Sequence, residues 1–160
     1  MISQRGDLIR GFVSTQQKGA STGLDRGPYR ILLVDDDERM CDLIEEILDG
    51  CKGITIIGRA ANGKEAVDLA ARRLPDVILM DVNMPVLDGI QATSSIKEAS
   101  PSTVVICLTQ TFTPSLYSAM RTAGAAAFLC KNEVLALPDF IMSTLDQSQN
   151  GSFALDSRMN

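Results

Sequence analysis

Five short apolar runs, separated by amphipathic stretches, restrict this chain more than any other feature. They are ILLV (31–34), ITII (54–57), VILM (77–80), VVICL (104–108) and AAAFL (125–129). All but the last are rich in Val, Ile and Leu, and four are apolar on both faces, as parallel strands covered by helices on each side must be. The stretches between them read as helices. Residues 38–48 carry Met40, Leu43, Ile44, Ile47 and Leu48 at helical spacing, with acids opposite. Asn62 followed by Glu65 resembles a capping arrangement, and Ala66, Leu69 and Ala70 follow on one face. Asp88 or Gly89 opens a third helix that reaches Ala99. Thr113-Pro114 is an N-cap followed by proline at the first helical position, Gly124 stands where that helix would stop, and Pro138 begins the last helix.

Strands alternating with helices in this way predict an α/β fold with a five-stranded parallel sheet and helices on both faces. Right-handed crossovers leave few topologies. The flavodoxin-like order 2-1-3-4-5 is the common one at this length, and its ligand site lies between the first and third strands, past their C-terminal ends. Asp35, Asp36 and Asp37 follow the first run, and Asp81 follows the third. These acids are expected to face one another across that crevice.

Composition removes several classes of function. The net charge of −5 and the lack of a Lys/Arg cluster argue against nucleic-acid binding through this chain. There is no histidine, which excludes Ser-His-Asp and Cys-His catalysis and any phosphohistidine carrier within the chain. Cys41, Cys51, Cys107 and Cys130 show no CxxC spacing, so they read as buried or half-buried thiols. No apolar run approaches the roughly 18–20 residues that span a bilayer, and Arg5, Asp7 and Arg10 interrupt the N-terminal stretch. A cytoplasmic protein without membrane contact is expected.

Converging carboxylates repel each other, and a hard cation such as Mg²⁺ relieves that repulsion. Asp37 and Glu38 are explained as acids at a helix N-terminus; Asp81, ending a different strand, is not. Thr109 and Lys131 stand at the ends of the fourth and fifth runs. A hydroxyl and an ammonium both suit phosphoryl oxygens. Taken singly, each reads as turn chemistry or a solvated charge. Jointly, these residues after four different strands make a phosphoryl-transfer site.

The motifs LLVDDD, LMDVNMPVLDG, ICLT and AGAAAFLCK resemble those of two-component response regulator receiver domains, over residues 29–147. The stretch LDGIQATSSIKEASPSTVVICLT is similar to receivers that precede helix-turn-helix output domains. The resemblance implies that Asp81 is the phosphoacceptor, taking a phosphoryl group from a histidine kinase or histidine phosphotransfer protein. It makes Asp36 a direct Mg²⁺ ligand beside Asp81 and the backbone carbonyl of Asn83, with Asp35 acting through water. Thr109 would hydrogen-bond the phosphoryl group, Lys131 would pair with Asp81, and Phe128 would be the aromatic switch that follows Thr109. Asn83 and Thr111 occupy positions that tune phosphoryl loss. Gln110 departs from the small residue usual after Thr109, and Asn132 replaces a proline found in many members.

Output is expected through the surface of the fourth helix, fifth strand and fifth helix, where Leu116, Tyr117, Met120 and Phe140 are candidate exposed contacts for an unidentified downstream protein or a homodimer. Residues 1–28 read as a flexible arm. Residues 148–160 read as a tail or linker start, too short for a helix-turn-helix, so signalling through the receiver's own surface is expected. The alternatives are a phosphorylation-independent interaction module and the receiver part of a DNA-binding regulator. A phosphatase of the haloacid dehalogenase type needs a second Asp two residues after the nucleophile, and Asn83 stands there. The receiver catalyses only its own phosphorylation and dephosphorylation on this reading.

Overall fold

In the computed structural model the described residues are 26–151. Five parallel strands, β1 (Tyr29–Val34), β2 (Ile54–Ala60), β3 (Val77–Asp81), β4 (Val104–Thr109) and β5 (Ala127–Cys130), form one sheet in the order β2-β1-β3-β4-β5. Five helices alternate with them: α1 (Glu38–Leu48), α2 (Gly63–Arg73), α3 (Gly89–Ala99), α4 (Pro114–Ala123) and α5 (Leu137–Gln149). The expected fold is therefore the observed one.

Alternation along each strand divides the core in two. Ile31, Leu33, Val77, Leu79, Ile106 and Leu108 face Ile44 of α1 and Leu137 and Ile141 of α5. Leu32, Val34, Ile78, Met80, Val105 and Cys107 face Ala66 of α2, Ala92 and Ile96 of α3 and Met120 of α4. Every residue of β3 is buried. Each fully buried Ile or Leu stabilises the fold by about 1.5–3 kcal/mol before entropy is counted. The edge strand differs: Ile54–Ile57 of β2 stay half-buried, because no strand covers their outer side.

The helix ends follow the sequence signals. Asn62 accepts a hydrogen bond from the Glu65 amide, and the Glu65 carboxylate accepts one from Ala61 N. Asp88 caps α3 by accepting from Gln91 N, and Thr113 caps α4 by accepting from Leu116 N. Two boundaries differ from expectation. β5 starts at Ala127 rather than Ala125, because the amides of Gly124 and Ala125 both donate to Met120 O in the turn closing α4. A 3-10 turn, Lys131–Ala136, precedes α5, which continues past Gln147 to Gln149.

Of the expected arm, residues 1–25 lie outside the described residues; Arg26 is tied to Asp76 at 2.7 Å. Residues 152–160 of the expected tail also lie outside. Among the described residues no helix is long and apolar enough to cross a membrane. All four cysteines are free, Cys41 and Cys107 buried and Cys51 and Cys130 half-buried.

Candidate functional site

Four of the expected side chains meet at the C-terminal edge of the sheet. Asp81 ends β3 and Asp35 follows β1, on adjacent strands. Lys131 comes from the first residue of the 3-10 turn after β5, and its Nζ lies 2.6 Å from Asp35 Oδ2 and 3.2 Å from Asp81 Oδ1. All three are nearly closed off from solvent, at 3% exposure for Asp35, 4% for Asp81 and 8% for Lys131. The pairing of Lys131 with Asp81 was expected. Its closer approach to Asp35 was not, because it depends on where the 3-10 turn aims the side chain.

Local structure fixes the acids. Asp35 Oδ1 accepts a hydrogen bond from Asp37 N at 2.9 Å. Its other oxygen faces the lysine ammonium closely but at an angle that makes no well-formed hydrogen bond, so this buried oxygen is held by charge. Asp37 is occupied as the N-cap of α1, accepting from Arg39 N. Asp36 stays exposed. Gly89, at the start of α3, packs so tightly that an added Cβ would run into the Asp81 carbonyl oxygen.

Burial, then repulsion from Asp35, raises the Asp81 carboxyl above its ordinary range, while Lys131 and the backbone amide of Asn83 oppose the rise. Burial acts alone to lower the Lys131 ammonium, but close ion pairing with Asp35 and Asp81 outweighs it and holds the group above its ordinary value. The direction at Lys131 fits a charged ammonium held between the acids, whereas at Asp81 burial and Asp35 work against the ionised carboxylate.

One carboxylate oxygen each from Asp35, Asp36 and Asp81 lie within 4.8 Å of one another. Three hard oxygen donors at this spacing, one of them on the carboxylate whose buried oxygen lacks a well-formed hydrogen bond, fit a small divalent cation.

Among the remaining candidates, Asn83 reaches this group through its backbone amide. Thr109 is buried at the end of β4, in the alternation of Val105 and Cys107, and its hydroxyl donates to Thr111 O at 2.9 Å. Phe128 on β5 packs against that layer, with its ring 4.5 Å from Tyr117 and edge-on to Phe112 at 6.3 Å between centroids. Gln110, Thr111 and Asn83 are exposed, and Cys130 Sγ donates to Gln110 O at 3.5 Å. Of the four expected output contacts, Leu116, Tyr117 and Phe140 are half-buried. Met120 corrects the expectation: it is 0% exposed, packed beneath α4 against the sheet.

The family model described as the response regulator receiver domain matches residues 31–137. A protein-glutamate methylesterase/protein-glutamine glutaminase from Methanospirillum hungatei JF-1 is 39% identical over 113 residues, 69% of this chain and 32% of the relative. The response regulator UvrY of Escherichia coli K12 is 35% identical over 121 residues, 76% of this chain and 54% of UvrY. The chain thus spans about a third to a half of the length of these curated relatives. A chain in the crystal structure of the CheX–CheY–BeF3–Mg²⁺ complex of Borrelia burgdorferi superposes with a TM-score of 0.67 at 28% identity, covering 74% of this chain and 90% of that one. With the sheet order, the acid-lined edge and the family match in agreement, this chain belongs to the response regulator receiver domains of two-component systems.

Proposed function

We propose that the chain accepts a phosphoryl group on Asp81 from a phosphohistidine of a partner kinase or phosphotransfer protein, in a reaction that uses Mg²⁺. The observation that carries this reading is the buried Asp35–Lys131–Asp81 group beside Asp36. Lys131 holds Asp81 Oδ1, which leaves Oδ2 as the attacking oxygen. As the new O–P bond forms, the P–N bond to the partner's imidazole breaks and the nitrogen keeps the electron pair. Lys131 then pairs with the phosphoryl group. Thr109 would exchange its bond to Thr111 O for one to a phosphoryl oxygen, and Phe128 would repack against Tyr117. Asp36 and Asp81, with Asp35 and the Asn83 carbonyl, would hold the metal. Bound there, Mg²⁺ neutralises the charge that grows on the phosphoryl oxygens. The similar Borrelia burgdorferi chain, found in a complex with BeF3 and Mg²⁺, supports the same chemistry. Output through Leu116, Tyr117 and Phe140 on α4 and α5, to a protein target or a second copy, and a cytoplasmic setting complete the reading.

Incubation with Mg²⁺ and a small acyl phosphate, followed by intact mass, tests it. A phosphoryl-sized gain that needs Mg²⁺ and disappears in Asp81→Asn is expected. No gain, or an equal gain in the variant, contradicts it. Gln110 stands beside Thr109, and its long amide is expected to hinder small donors. Gln110→Ala should therefore be phosphorylated faster; equal rates in both proteins would count against that role.

A further inference from the structure

The β2 edge of the sheet carries a feature that the acid cluster does not use. Gly53 O faces β1, where it accepts from Tyr29 N at 2.8 Å. The trans peptide therefore turns Ile54 N away from the sheet. Strand alternation does the same for Ile54 O and for the amide and carbonyl of Ile56. β2 ends the sheet, so among the described residues no neighbouring strand takes these groups up. Farther along, the edge is closed, because the Arg73 guanidinium donates to Ile57 O. The side chains of Ile54 and Ile56 pack into the layer beneath α1 and stay half-buried. The stretch Ile54–Ile56 is thus an open strand edge, apolar on the α1 face and free to hydrogen-bond outward.

A groove of about 560 Å³ runs along this stretch, between β2 and the C-terminal half of α1. Its charged lining is Asp42, Glu45, Glu46 and Asp49 against Arg59. Arg59 is already neutralised, binding Asp42 at 2.8 Å and Glu45 at 2.5 Å. Glu46 and Asp49 are exposed at the end of α1, where the partial negative charge of the helix terminus adds to theirs. A negative groove therefore lies beside a strand edge with hydrogen bonds to offer. Two copies of this chain joined edge to edge at β2 would bring these acids together, which disfavours self-pairing. A basic strand meets both the charge and the open backbone.

We propose that this edge binds a basic, extended segment of a partner protein, which adds a strand beside Ile54–Ile56 and sets cationic side chains, at alternate positions, against Glu46 and Asp49. Main-chain hydrogen bonds supply the affinity of such an added strand, and the alternate side chains its specificity. Arg73 at Ile57 O limits the site to the first half of β2.

The test is titration of the ¹⁵N-labelled chain with a short peptide of alternating lysine and valine, at constant ionic strength with Mg²⁺ present. Saturable amide shifts at residues 45–50 and 54–57 are expected. Only one set of the peptide's amides can face β2, so N-methylating either the lysines or the valines should weaken binding about tenfold in one case and little in the other. Glu46→Lys combined with Asp49→Lys, both exposed and checked for an unchanged fold by circular dichroism, should weaken it about fivefold. No saturable shifts at millimolar peptide, shifts confined to the acid cluster, full binding by both N-methylated forms, or equal binding by a glutamate–valine peptide would each overturn the proposal. So would a concentration-dependent dimer that covers residues 54–57 in place of the peptide.

Discussion

Among the described residues, Val86 is the β-branched one with a left-handed backbone. It has φ +70° in the loop between β3 and α3, and Leu87 N donates to Pro85 O across it at 2.8 Å, closing a three-residue turn. A β-branched residue is strained in that region, at a cost on the order of 1–3 kcal/mol. Its side chain is 81% exposed, so removing it forfeits little burial. Val86→Gly is expected to relieve about 1 kcal/mol of strain, less what glycine adds in unfolded-state entropy, and so to raise the urea midpoint. An unchanged or lower midpoint would show that the turn is not strained. Cys107 gives a second prediction. Burial, aided by the charge of Asp81 and opposed by Lys131, pushes its thiol up to about 12. The folded chain therefore keeps a proton that the unfolded chain loses above about pH 9, so stability should fall as pH rises from there toward 12. The slope from this thiol alone is about 1.4 kcal/mol per pH unit. Denaturation at pH 8 and pH 10.5 should show a shallower fall in Cys107→Ala; identical slopes would count against it. Val86 was not marked by the sequence, because a positive φ exists only in the folded chain; Cys107 was read as a buried or half-buried thiol, but the charge of Asp81 near it was not.

At the level of elements, the caps were legible because they are local. Asn62, Asp88, Thr113 and Gly124 act within four residues of themselves, and each stands where its signal placed it. Met120 was not legible as core, since its helical face is decided by which side of α4 meets the sheet. The start of β5 was hidden for a related reason: Ala125 suits a strand by composition but its amide is drawn into the turn that closes α4. The junction of β3 and α3 yields the sharpest test here. Gly89 N donates to Val82 O at 3.0 Å, and a methyl at Gly89 would collide with backbone of Asp81 and Val82. Gly89→Ala is expected to cost about 1–3 kcal/mol or more, since rigid backbone rather than a side chain must move. A variant as stable as the parent in urea would mean that α3 can shift away from the acid edge.

For the whole molecule, strand alternation explains both what gathered and what stayed apart. Asp81 continues the parity of Val77 and Leu79, whose face α1 and α5 cover, while Thr109 continues the parity of Val105 and Cys107. The sheet edge therefore brings an ion-paired acid group from one alternation and a hydroxyl with its aromatic neighbour, Phe128, from the other. Counting by twos along each run anticipates this division; the Lys131–Asp35 contact, set by the 3-10 turn, escapes such counting. If the three acids hold a cation, that cation ties β1 to β3. Mg²⁺ at tenfold its dissociation constant should then raise stability by about 1.4 kcal/mol. Thermal melts should show the rise in the parent and lose it in Asp36→Asn, whose exposed side chain contributes little packing; a rise retained in the variant would remove Asp36 from the metal site. The central claim is that one carboxylate, Asp81, becomes an acyl phosphate. Borohydride reduction of the phosphorylated chain, followed by peptide mass mapping, reads that site directly. The account predicts homoserine at position 81 and aspartate at 35 and 36, and reduction at either of those positions, or at none, would contradict it.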